Sequence, residues 1–278
     1  MPRDTRKGGR GFLERTTAGF VDAMEHAFYA EQPARADGLL QHMDARVKLV
    51  GILALIVSAA AAQRLSVIAA LFVVTVALAA LSRVPFSLLL KRVWIAVLLF
   101  TGVIAFPAPF VTPGEVVFQL PGFGWKVTAQ GLVSAGYLVL RVETAATLCV
   151  LLVLTTPWNH VLKALRVLRV PAVLVTVLGM TYRYLFLLLQ NAHDMFESRR
   201  SRMVGELNGR ERRKLAAASA GVLLSKTFDL SSDVYLAMQS RGYRGEVPLL
   251  DDFRARSLDW AMLAGFAAVS VAALWWGR

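Results

Sequence analysis

Two short runs hold the groups in this sequence best suited to strong, directional polar contacts. They read Glu197-Ser198-Arg199-Arg200-Ser201-Arg202-Met203 and Ala237-Met238-Gln239-Ser240-Arg241-Gly242-Tyr243-Arg244-Gly245. In each a serine precedes an arginine, as Ser201-Arg202-Met203 and Ser240-Arg241-Gly242, and the two arginines stand 39 residues apart with helix-forming sequence between them. A guanidinium is a rigid fork of donors that is always charged, so it suits anchoring in a carboxylate-lined groove. Small flanking residues let backbones approach closely, and Gly242 suits the left-handed end of a helix. The chemistry favoured is docking rather than bond-making, by two helix-borne prongs facing the cytoplasm. Ser198, Arg199 and Arg200 could share or shift the first contact. Blander explanations compete: solvation for Arg199 and Arg200, compensation of a helix C-terminus for Arg241 and Arg244, and anionic lipid headgroups for Arg210 to Lys214.

The elements that position these residues belong to a membrane protein. With 278 residues, 56% apolar, and a mean hydropathy of +0.53, the chain is too greasy for an ordinary soluble domain, and several apolar runs approach bilayer length. The fold class expected is an all-α integral membrane protein with about five transmembrane helices plus long cytoplasmic coupling helices. A net charge of +12 would raise nucleic acid as a partner of a soluble protein. Here the distribution points to the lipid bilayer instead and to no nucleic acid. All but Arg64, Lys126, Arg141 and Arg278 of the 31 basic residues fall on one proposed side, which sets the N-terminus in the cytoplasm.

Four regions follow in order: a cytoplasmic tail with an amphipathic helix (1–46), a four-helix transmembrane bundle (47–156), a cytoplasmic or interfacial coupling-helix region (157–256) and a final transmembrane helix (257–278). The basic N-terminus lacks the apolar stretch of a signal peptide, and Phe12, Thr16, Phe20, Met24 and Phe28 recur every fourth residue along the tail helix. Crossings are expected over Leu49–Ala62, Leu65–Leu81, Val93–Phe106, Thr128–Thr156 and Leu258–Trp276, the first two forming a hairpin through Gln63 and Arg64. Arg83, Lys91 and Arg92 mark a cytoplasmic loop around Pro85, and proline and glycine mark an external loop over 107–124. Residues 170–190 are apolar enough for a sixth crossing, but a crossing would carry the basic 199–214 cluster outside. They are therefore expected as a helix partly sunk in the membrane.

Other chemistry finds little support. Arg141 and Glu143 lie inside the fourth crossing and face different ways round the helix; the expectation is an interface or a partner helix for each. Cys149 sits in an apolar run and is expected to be a buried spectator. His26, His42, His160 and His193 are scattered without the spacing of a metal cluster, and no phosphate-binding Gly-x-x-x-x-Gly-Lys-Ser/Thr run occurs. Neither a cofactor, a bound metal nor a catalytic residue is expected. Asp251-Asp252 is the sole acidic pair and argues little for a lipid-phosphate transferase. The chief rival is a self-sufficient permease whose path is lined by Arg141 and Glu143.

Four stretches together carry a family resemblance: Leu39 to Lys48 (LLQHMDARVK), Thr155 to Pro171 (TTPWNHVLKALRVLRVP), Thr181 to Arg202 (TYRYLFLLLQNAHDMFESRRSR) and Tyr235 to Gly245 (YLAMQSRGYRG). In this order they resemble the transmembrane T component of energy-coupling factor transporters, most closely the cobalt/nickel type. The resemblance implies a non-catalytic subunit of an ATP-driven importer in the cytoplasmic (inner) membrane. Its partners would be two ATP-binding-cassette ATPase subunits and a substrate-binding integral membrane subunit. It also implies that Ala-Arg-Gly-like motifs on cytoplasmic coupling helices dock into the ATPases. Carried over, these are Ser201-Arg202-Met203 and Ser240-Arg241-Gly242. Serine replaces alanine in both and Met203 replaces glycine in the first, so the second is the closer match.

Overall fold

The structure, a computed structural model, describes Gly19 and residues 38–119, 126–202, 208–245 and 257–277. The tail helix expected over residues 12–31, the Asp251-Asp252 pair, His26 and Met203 lie outside the described residues. The chain divides into two compact units, one built from residues 31–168 and 251–278, the other containing 169–250. The described secondary structure is helical apart from one two-stranded ribbon, as an all-α membrane protein requires.

The first unit begins with α1 (Ala45–Ala61). Asp44 caps it, its carboxylate accepting from the Arg46 amide at 2.9 Å. Its main neighbour is α10 (Ser257–Trp276), although α2 (Leu65–Leu81) follows directly in sequence. The sharp 62–64 turn is present, but α2 leaves α1 and packs instead against the 27-residue α6 (Ala129–Thr155). Apolar surface gains little by leaving lipid for protein, so close backbone approach and satisfied polar groups must hold such helices together. Gly51 supplies the approach: a Cβ there would strike the Phe266 ring of α10. Leu40, Met43, Ile52, Leu55, Leu71, Leu148 and Phe266 fill the core around it.

Several sequence expectations need correction. The third helical stretch does not wait for Val93. It starts just after Pro85 as α3 (Phe86–Leu89), runs through a π-helical turn at Leu90–Trp94 and continues as α4 (Ile95–Ala105). Lys91 and Arg92 therefore lie within helix, not in a loop, because proline's fixed φ and missing N–H suit a helix start. The 107–124 segment is not all loop. It contains α5 (Ala108–Val111) and β1 (Val116–Gln119), which pairs antiparallel with β2 (Lys126–Thr128). Cys149 is exposed, not buried, since an apolar run in a membrane can face lipid on one side and protein on the other. Short α7 (Trp158–Val167) packs against α1, with Ala164 buried beside Ala45 and Leu49.

Candidate functional site

The second unit carries both serine-arginine motifs on two long helices, α8 (Ala172–Arg202) and α9 (Gly209–Ser240). Asn208 and Glu211 start α9 with a reciprocal capping box: the Asn208 amide donates to the Glu211 carboxylate at 2.9 Å. The Asn-x-x-Glu spacing is the sequence signature of that box. Near the middle of both helices the Lys226 ammonium donates to the Asn191 side-chain oxygen at 2.9 Å. From that contact a groove of 530 Å³ follows α8 back towards Val173 and α9 forward to Met238 and Tyr243. The helices are therefore antiparallel along the groove. Arg202 lies eleven residues beyond the contact one way and Arg241 fifteen the other, roughly 16 and 22 Å along the axes. The two motifs stand at opposite ends of the pair.

One local feature is nonetheless shared. Ser201 Oγ donates to the Ser198 carbonyl and Ser240 Oγ donates to the Ala237 carbonyl, each at 2.9 Å. Each hydroxyl thus folds back onto the preceding turn of its own helix, and an exposed arginine follows it. At the second motif Arg241 is the C-cap and Gly242 has φ +79°. The Gly242 and Tyr243 amides donate to the Gln239 and Met238 carbonyls at 2.9 and 3.0 Å. That pair of bonds is the Schellman closure, which needs a left-handed residue where Gly242 sits. At the first motif Ser198 is also exposed, with its hydroxyl bonded back to the Asp194 carbonyl at 2.8 Å. Arg199 is half-buried.

The remaining charged residues singled out from sequence lie in the first unit, and they divide sharply. Arg141 does find another helix: its guanidinium donates to the Ala62 carbonyl at the end of α1, at 2.9 Å. Glu143, two residues on, is 4% exposed and neither carboxylate oxygen has a hydrogen-bond partner. Lys48, one of the basic residues that the sequence places on the cytoplasmic side, has a structural part as well. It is 1% exposed, and its ammonium donates to the Thr155 carbonyl at 2.9 Å and Thr156 Oγ1 at 3.0 Å. Lys48 therefore ties the start of α1 to the C-terminal end of α6. Among the described residues no three of His, Cys, Asp and Glu gather as a metal site would require.

Three helices, over Ala129–Thr155, Ala172–Arg199 and Ser257–Trp276, are long and apolar enough to cross a membrane. Helices of this length and composition mark an integral membrane protein. The sequence pattern of the cobalt transport protein family CbiQ matches residues 37–249, and this chain belongs to that family. It is 32% identical to the cobalt transport protein CbiQ of Rhodobacter capsulatus, over 56% of this chain and 64% of that protein. It is 27% identical to the energy-coupling factor transporter transmembrane protein EcfT of Bacillus subtilis, over 74% of this chain and 81% of that one. An uncharacterized protein of Methanocaldococcus jannaschii is 35% identical over 84% of this chain and 82% of its own length.

Proposed function

We propose that this chain is the coupling subunit of an energy-coupling factor importer, transmitting nucleotide-driven motion of two ATPase subunits to a separate substrate-binding membrane subunit. The observation that carries the proposal is a repeated local arrangement: a back-bonded serine followed by an exposed arginine, at Ser201-Arg202 and again at Ser240-Arg241. Two cationic tips of the same serine-arginine type on one antiparallel pair suit two equivalent acidic grooves better than one. Rigid helices joined to such tips carry motion as rigid bodies. Met203 completes the first docking motif and Gly242 the second, with Ser198, Arg199 and Arg200 as auxiliary contacts.

The cargo is cobalt or nickel, a reading supported by the CbiQ family match, and the metal is held by the substrate-binding partner. The protein sits in the cytoplasmic membrane with its N-terminus inside, supported by the one-sided distribution of lysine and arginine. Basic residues also crowd the first turns of α9 (Arg210, Arg213, Lys214, all exposed). A helix N-terminus disfavours positive charge, so this crowding serves an anionic surface rather than the helix itself, and cytoplasmic headgroups supply one.

The test is to change both Arg202 and Arg241 to glutamate and co-purify the chain with its ATPase subunits. Loss of the ATPases with normal membrane insertion is the expected result, and unchanged co-purification would end the docking assignment. The unpartnered Glu143 favours one rival, a permease working alone. Transport by the reconstituted chain without any ATPase would establish that rival instead.

A further inference from the structure

The 62–64 turn between α1 and α2 is the meeting point of two positive charges and one apolar groove. Its Gln63 amide donates to the Gly277 carbonyl at 2.7 Å, which brings the turn level with the end of α10. Arg64 is exposed there, and no carboxylate among the described residues pairs with it. Arg141 reaches the same turn from α6 through the Ala62 carbonyl, and its Nε is buried without a hydrogen-bond partner. Below Arg64, α2 and α10 leave a groove of 410 Å³ between them. Its apolar walls include Val67, Ala70 and Val74 on one helix and Val269 and Ala272 on the other, with Trp276 at the mouth. Trp275 and Trp276 are 85% and 69% exposed, as the aromatic belt at a membrane interface requires.

We propose that this groove is a binding site for one anionic phospholipid, with the phosphate against Arg64 and an acyl chain lying between α2 and α10. The reach of the groove selects a lipid over a partner's helix. From Ser66 to Val74 it follows α2 for eight residues, about 12 Å, and from Val269 to Trp276 it follows α10 for seven, about 10 Å. A single leaflet has a hydrocarbon depth of about 15 Å, half the bilayer core. A transmembrane helix of a partner would need a groove continuing over the rest of α2. The groove's lining stops instead at Val74, short of the end of α2 at Leu81. The charge at the mouth selects an anionic headgroup, since the exposed Arg64 lines the groove with no carboxylate among its lining residues. The proposal requires only that the helices lie in a bilayer and is independent of which proteins dock at Arg202 and Arg241.

The test is native mass spectrometry of the full chain in mild detergent, titrated with palmitoyl-oleoyl phosphatidylglycerol and, separately, with inorganic phosphate. One phosphatidylglycerol per chain is expected to bind. Arg64→Gln should weaken it about fivefold, the loss of one interfacial cation, and Ala70→Trp should expel it by filling the groove. Arg64 is exposed on a turn, so its substitution keeps the test decisive if Ala70→Trp fails to fold. Inorganic phosphate at equal concentration should leave the lipid in place. Equal lipid binding by wild type and Arg64→Gln overturns the proposal, as does displacement of the lipid by phosphate alone. So does a crosslink from Val74→Cys to a partner polypeptide, which would show a protein in the groove.

Discussion

The Tyr243 amide donates to the Met238 carbonyl at 3.0 Å, and the same two residues line the groove between α8 and α9. Arg241 therefore projects from a helix end closed on one side by backbone and on the other by apolar packing. Gly242 makes the closure possible at φ +79°. Gly242→Ala is expected to cost about 1 kcal/mol locally, fraying the last turn of α9. ATPase co-purification should fall while the amount of protein in the membrane stays the same. Unchanged co-purification would show that the arginine docks without a fixed helix end.

A second prediction concerns the side of the membrane on which α9 begins. Gly209 opens that helix and is exposed, with Arg210, Arg213 and Lys214 just after it. In a variant with Cys149→Ser, Gly209→Cys should react with a membrane-impermeant maleimide only from the cytoplasmic face. Reaction from outside would make Ala172–Arg199, which is long and apolar enough to span, an actual crossing and would reverse the placement of Arg202.

These helices also show how far the sequence could be read. Both ends of α6 and the C-terminal end of α10 fall within a residue or two of expectation, because the polar residues and glycine that bound those apolar runs are unambiguous. The left-handed end at Gly242 follows from glycine's freedom and was equally legible. What the sequence leaves open is the direction each apolar face takes. Cys149 is as apolar in context as Leu148, yet one is exposed and the other 1% exposed. Hydrophobicity cannot tell a lipid-facing residue from a packed one when both surroundings are apolar. The tie between Lys48 and Thr155 joins residues 107 apart in sequence, and no local pattern signals such a contact. At the two serine-arginine motifs the residue types are legible, but the shared serine back-bond and the opposed placement of the two arginines arise only in the folded helix pair.

Lys48 supplies a third prediction. Its buried ammonium is the donor for the Thr155 carbonyl at the end of α6. Lys48→Met keeps the aliphatic stem and removes the donors, leaving a buried acceptor unmet. The expected loss is about 2 kcal/mol, in the range for hydrogen bonds to charged groups. Thermal unfolding in detergent should show a lower midpoint. An unchanged midpoint would mean that water or lipid replaces the ammonium at no cost.

Gly51 and Phe266 form a pair that can be tested as a cycle. A Cβ at position 51 would run into the Phe266 ring, so Gly51→Val should force α1 and α10 apart at a cost of about 1–3 kcal/mol. Phe266→Ala alone opens a cavity and is also expected to destabilise. Combined, the valine occupies space the ring has vacated. The double variant should therefore be more stable than the sum of the two single losses predicts, by at least about 0.5 kcal/mol. Strict additivity would mean that the two helices do not approach through this pair.

Glu143 is the residue whose presence the fold of this chain does not explain. It is 4% exposed with both oxygens unpartnered; α2 and α4, which pack against its helix, contain no titratable side chain, and the cations on two of its other neighbours are Arg46 and Lys48 of α1 and Lys91 and Arg92 of the π-helical turn. Arg141 lies two residues away but is engaged with Ala62, and Lys48 is engaged twelve residues further along α6 at Thr155. A buried polar group without partners is a net cost to stability, and such costs are retained where function requires them. Glu143→Gln, and more so Glu143→Leu, should therefore raise the thermal midpoint of the isolated subunit. If the carboxyl acts in coupling, the same variants should lower transport by the assembled complex while ATPase co-purification stays normal. A lowered midpoint would instead mean that the carboxyl already has a partner, and an unchanged transport rate would assign Glu143 no part in coupling.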